Sequence, residues 1–256
     1  MSALLSIFSV VALIWAFSPS AQAGWRVELG GGYSYSRMEY RQHSASFSLL
    51  SNEGTYGLAE MGWGGKNYEL FAEGFLSQHK YEAPPTRVIP RERTQLLDLG
   101  AGARAMWRNF SVAGKVVQKQ SLLLNPAGGN EYLFEKSDVL LALGSLQFYA
   151  REENFCIFLQ VEAGGNLSSG SSAGGEVSAE RYYGASAKVN VGQRWRWSLM
   201  GGMRNYEYQS PGVTYSSFDF FAGVLLSLHF DSRGEGRKDN IPWNYTGPRY
   251  PLPSGR

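Results

Sequence analysis

Trp25-Arg26-Val27-Glu28-Leu29-Gly30-Gly31-Gly32-Tyr33-Ser34-Tyr35 places an apolar residue or glycine at every odd position and a polar residue or glycine at every even one. Successive side chains of a β-strand point to opposite faces, so this stretch makes a ribbon with one greasy and one wet face. Working outward, the same period of two recurs at 55–63, 68–76, 97–107, 110–119, 140–148, 155–163, 183–191, 195–204 and 218–230. Ten strands are predicted. Eight or twelve stay open, because Val139, Leu141 and Leu143 blur one strand and 205–216 is ambiguous.

The joins alternate in length. Gly64–Asn67, Arg108-Asn109, Tyr149–Asn154 and Gly192–Arg194 are tight, whereas 38–54, 81–93, 120–137, 168–180 and 205–216 read as long polar loops. Short turns at one end and long loops at the other suit a transmembrane up-and-down barrel. Composition narrows the class further. Charged residues are 18% and aromatics 14% of 256 residues, against roughly 25% charged in an ordinary soluble domain. A mean hydropathy of −0.27 is too polar for a helical membrane bundle. The net charge of +2 advertises no nucleic-acid partner, and the single Cys156 excludes an intramolecular disulfide framework and a Cys-rich zinc module. No cofactor is implied and no metal-ligand spacing appears.

Residues 1–23 read as a cleaved secretory signal peptide: an apolar run from Leu4 to Phe17, then Ala21-Gln22-Ala23, with cleavage expected before Gly24. The n-region lacks Lys and Arg, which leaves a retained anchor as the alternative. That run, however, is shorter than the ~20 residues a span needs.

Alternation alone also fits a soluble barrel, so the side-chain sorting has to decide. Arg26, Arg104, Lys115, Lys119, Lys188, Arg196 and Arg204 share the polar face with Glu28, Glu60, Glu69, Glu73, Asp98, Glu162 and Asp219. A single Arg or Lys on a lipid face would cost about 2–4 kcal/mol at the midplane, so these charges belong to the lumen. The apolar face carries Trp25, Trp63, Trp107, Trp195 and Trp197 beside the short turns or the first strand's start, joined by Tyr68, Phe110, Phe148 and Phe155. Amphipathic rings gather at the headgroup level of a membrane. Mid-strand, that face holds Ala, Gly, Val and Leu, where a soluble core would set its large aromatics.

On these residues, 24–230 resembles the Gram-negative outer-membrane β-barrel proteins in general architecture, without a family motif. The resemblance implies export to the outer membrane and contact with its lipid and lipopolysaccharide. It also implies a closing strand that the barrel assembly machinery recognises, here Gly223, Leu226, Leu228 and Phe230. In most members that strand ends the chain, whereas here 231–256 follows. This tail reads as a Pro-rich, disordered periplasmic segment. Its Trp243, Tyr245 and Tyr250, interleaved with Arg237, Lys238 and Arg249, offer contact to a periplasmic partner or the cell wall, the alternative being a solvated extension.

Ten strands with paired charges inside imply a lumen that is largely plugged, hence a structural or binding role rather than a channel. Two other readings stay open: a narrow pore for small solutes, and a barrel-borne lipid or peptide hydrolase. The hydrolase reading rests on Ser77, His79 and Asp98, which share the polar face of adjoining strands and form a nucleophilic set only if register brings them together. His43 reads as a loop residue, and His229 has no evident hydroxyl partner.

Overall fold

The seam that closes the sheet joins the first strand to the last: Gly24 sits opposite Asp231 and Arg41 opposite Thr214. The structure, a computed structural model, describes residues 24–42, 45–65, 67–90, 93–107, 109–151, 155–172, 175–191 and 196–231. Expectations that rest on 1–23, His43, Trp195 and 232–256 lie outside the described residues, as do those on the side chains of Phe155, Arg196, His229 and Phe230.

The strands are β1 (Gly24–Gln42), β2 (Ala45–Gly64), β3 (Tyr68–Glu82), β4 (Thr94–Met106), β5 (Phe110–Gly128), β6 (Glu131–Arg151), β7 (Phe155–Ser168), β8 (Gly170–Ser172), β9 (Gly175–Val191), β10 (Arg196–Ser210) and β11 (Val213–Asp231). Ten of them form a closed, antiparallel, up-and-down barrel, and the short β8 pairs only with the start of β9. Closure leaves no sheet edge along the wall, which a hydrocarbon surrounding demands of any spanning sheet.

The outer face carries the apolar set. Leu29, Leu99, Leu159, Leu199 and Val224 are exposed there, while Arg26 and Glu69, on the inner face, are 3% and 0% exposed. On β1 the apolar outer row runs from Trp25 to Tyr35. Ten residue steps in a strand tilted by about 40° make a band about 25 Å tall. The corresponding rows run over 68–76 on β3, 97–105 on β4, 197–203 on β10 and 218–228 on β11.

Above that band the polarity of the two faces exchanges. Arg37, Glu39 and Arg41 now point outward and pair with one another at 2.7–2.8 Å, while Met38 and Tyr40 turn inward and are fully buried. Leu49, Tyr81, Val139, Tyr206, Tyr208 and Tyr215 join them in one core. One ribbon therefore presents an apolar outer face below and a charged outer face above.

This exchange corrects the expectation of long loops. Residues 38–54, 120–137 and 205–216 are mostly strand, and much of 168–180 joins β7, β8 and β9; among the described residues, 83–90 stays largely irregular. The β5–β6 and β10–β11 hairpins at this end turn on two residues each. Pro211-Gly212 joins β10 to β11 with Gly212 at φ +76°, the second corner of a type II turn that favours glycine. One-residue bulges at Asn52 of β2 and Glu180 of β9, with another at Leu167 of β7, shift the alternation of those strands where the polarity exchanges.

Candidate functional site

The inner face of the barrel is filled in successive layers, each built from residues that several strands bring to one level. Nearest the short turns, Arg26 of β1 meets three carboxylates: Glu28 at 3.0 Å, Glu69 at 2.8 Å, and Glu60. Arg104 reaches Glu69 at 2.8 Å and Glu60 at 3.7 Å, and Lys188 reaches Glu28 at 2.8 Å. Ser227 of the closing strand donates to Glu28 at 2.8 Å. Gly62 makes room for the Glu69 carboxylate, since a Cβ at that position would lie 1.9 Å from its Oε1.

The next layer mixes charge with aromatic rings. Lys115 lies 2.7 Å from Glu73 and 2.9 Å from Glu162, which also accepts from the Tyr182 hydroxyl at 2.7 Å. Arg204 lies over Phe75, 3.9 Å from its centroid, and 5.2 Å from that of Phe221. Phe75, Phe221 and Tyr56 form a small cluster of their own. Sequence reading placed charged and other polar residues here. The structure adds inward-facing Phe71, Phe75, Phe158 and Phe221, whose faces attract the buried cations. One layer higher, Asp98 pairs with Lys119 at 3.0 Å and with Arg204 at 3.7 Å. Asp219 accepts from Ser36 Oγ at 2.6 Å. Polar cavities remain between the layers, lined among others by Glu60, Arg104, Gln160 and Ser186.

At the far mouth the filling is apolar. Register sets Tyr208 of β10, Tyr215 of β11, Tyr40 of β1 and Phe47 of β2 in one transverse row. Their consecutive centroids are 4.8, 5.6 and 4.9 Å apart. The end of the β5–β6 hairpin lies against this row. Pairing of β4 with β5 ends at Asp98–Lys119, and pairing of β6 with β7 ends at Leu140–Ser168. Beyond those points the two arms hold each other, with local support from Val88 at Asn130 and Tyr132 and from Ser171 at Ser137.

The Tyr208 hydroxyl donates to the Leu122 carbonyl. That of Tyr215 donates to Leu124 O at 3.2 Å and accepts from Leu124 N at 3.4 Å. Tyr132, on the returning arm, sits edge-on to Tyr40 at 5.7 Å and tilted against Phe47 at 5.1 Å. Leu122, Leu123 and Leu124 are each 1% exposed. Arg87 covers the outside, stacked over Phe47 and Tyr132 and bonded to Asn130. Burial pushes the Tyr208 and Tyr40 phenols above their ordinary pKa and raises that of Tyr215 to about 12.

The predicted lumen charges with described side chains all face inward, and all but Asp219 form ion pairs with one another. Trp25, Trp107, Trp197, Phe110 and Phe148 point outward and are exposed. Trp63 and Tyr68 are half-buried, their rings 6.5 Å apart. Of the closing-strand residues, Leu226 and Leu228 lie on the outer side, while Gly223 faces inward, where a Cβ would lie 2.3 Å from Gly31 O.

Ser77 and His79 do face the lumen, but no hydrogen bond joins them to each other or to Asp98 among the described residues. The Asp98 carboxylate is taken by Lys119 and by the backbone N–H of Gln120. Their placement lends the hydrolase reading no support. Sequence reading missed Tyr40, Phe47, Tyr132, Tyr208 and Tyr215. Their own period-two spacing was the available signal, displaced by one position from the outer row.

No family model matches this chain, and neither does any curated protein. Among solved structures, the outer membrane protease OmpT from Escherichia coli is similar with a TM-score of 0.51 at 8% identity, covering 81% of this chain and 97% of that one. The translocator domain of the autotransporter NalP from Neisseria meningitidis matches with 0.39 at 13% identity, over 88% of this chain and 95% of its own. The β domain of the Bordetella autotransporter BrkA gives 0.30 at 12%, over 80% and 98%. At such identities the likeness is one of fold, and the fold is that of the outer-membrane β-barrels.

Proposed function

We propose that this protein is an integral outer-membrane barrel, closed to solutes, with a structural or binding role exercised at its extracellular end. The observation that carries this reading is the double filling of the lumen. Ion-paired layers around Arg26 and Lys115 occupy the membrane-level half, and the Tyr208–Tyr215–Tyr40–Phe47 row with Leu122–Leu124 occupies the mouth. A passing ion would have to break buried charge pairs, each of which costs several kcal/mol to open.

Planar-bilayer recording of the purified protein tests it: no stable conductance step is expected. Sustained openings would establish the narrow-pore reading instead. Residence in the membrane is supported by the apolar band of about 25 Å and its aromatic rim. Heat-modifiable gel mobility in the outer-membrane fraction is the expected result, and recovery as a detergent-free monomer in buffer would overturn it. In the same reading Tyr33, Tyr183 and Phe218 meet outer-leaflet lipid, lipopolysaccharide included. The closing strand with Leu226, Leu228 and Phe230 is what the assembly machinery would engage.

A further inference from the structure

The contacts at the mouth have the chemistry of peptide recognition. Two tyrosine hydroxyls, from adjacent strands, bond the main chain at positions i and i+2 of an extended segment: Tyr208 at Leu122 O, and Tyr215 at both Leu124 O and Leu124 N. The leucine side chains of that segment are buried, and an aromatic row lies beside it. Main-chain bonds supply affinity for an extended chain, and pockets for its side chains supply selectivity.

The occupant shares no strand ladder with the wall at this level and is held there by its buried side chains and by local bonds to Val88 and Ser171. Both arms of the β5–β6 hairpin leave their outer neighbours, at Lys119 and Leu140, before they reach the row. Lifting the hairpin would therefore break no ladder of the closed barrel.

We infer that the mouth, walled by β10, β11, β1 and β2, is a binding cup for an extended, leucine-bearing peptide segment. The β5–β6 hairpin fills it as a tethered ligand that a matching segment of another protein displaces. The inference rests on the closed-barrel reading for its orientation, yet it fails independently, because its readout is peptide binding and not conductance. Tethering gives the hairpin an effective concentration of the order of millimolar, so the intact protein resists weak competitors and yields only to a segment that fits at least as well.

The test uses the full chain and a labelled synthetic peptide, Ser-Leu-Leu-Leu-Asn, copied from 121–125. Leu122→Asn, Leu123→Asn and Leu124→Asn together remove the tethered side chains and leave the cup's tyrosines intact. This variant is expected to bind the peptide at least about tenfold more tightly than the wild type. Adding Tyr208→Phe and Tyr215→Phe is expected to cost about tenfold of that binding. A heat-modifiable leucine variant that binds no better than wild type overturns the inference.

Should the leucine variant not fold, amide exchange of wild-type residues 122–125 decides. Faster exchange in millimolar peptide, but not in a Ser-Asn-Ser-Gln-Asn control, supports displacement. Unchanged protection overturns it.

Discussion

The rings of Tyr208 and Tyr215 lie parallel to within 3°, with centroids 4.8 Å apart, and both hydroxyls bond the backbone of a hairpin that starts on other strands of the barrel. The stack is set by register, since the two residues are direct partners across β10 and β11. It fixes where the two hydroxyls stand relative to the hairpin backbone.

That arrangement makes closure of the mouth sensitive to alkali. Burial raises the Tyr215 phenol to about 12, against about 10 in an unfolded chain. A raised acid is stabilised in its neutral form, so its contribution is complete below pH 10 and is lost as pH climbs toward 12. Amide exchange at Leu122–Asn125 should accelerate over that window while the membrane-level strands stay protected. Uniform loss of protection along the chain would contradict this.

Arg26 is expected to be the most costly lumen cation to remove. Arg26→Ala leaves Glu28, Glu60 and Glu69 without their shared partner, and opening a buried pair of this kind costs about 3–5 kcal/mol. Arg37→Ala breaks a pair whose arginine is 50% exposed, where about 0–1 kcal/mol is at stake. Urea titration followed by the heat-modifiable band shift should separate the two variants clearly.

Leu199 points outward within the band and is 61% exposed. Leu199→Lys should cost about 2–4 kcal/mol if hydrocarbon touches that face. Refolding into vesicles measures it, and a change near zero would mean that water surrounds the sheet.

Two glycines should respond in opposite ways. A Cβ on Gly223 would meet Gly31 O at 2.3 Å and the Tyr56 hydroxyl at 2.7 Å, whereas on Gly114 it meets nothing within 4 Å. Gly223→Ala is expected to destabilise by about 1–3 kcal/mol through overpacking. Gly114→Ala should be neutral or gain up to about 1 kcal/mol from the stiffer unfolded chain. The same urea titration reads both.

The membrane half of the barrel was legible because its alternation is strict and its charges all fall on one side: Arg26 and Glu28 against Val27 and Leu29 already determine which face is wet. The mouth was not, for two physical reasons. Tyr40, Tyr208 and Tyr215 are apolar on the other parity from Tyr35, Met203 and Phe218, so the greasy row breaks off on one face where it resumes on the other. The bulges at Asn52 and Glu180 then move the count by one residue in two strands, and no single-strand pattern reveals them. The partners of each charge depended on contacts across the lumen, such as Lys188 with Glu28 and Arg26 with Glu69, which alternation along one strand leaves undetermined.

The exchange of polarity above Tyr35 also gives the protein a built-in waterline. Sinking the barrel by one row would draw Arg37 and its neighbours toward the acyl chains, and raising it would lift Trp25 and Trp107 out of the opposite headgroups. Both displacements are penalised at once, so the outward row of this strand itself favours one depth in the bilayer.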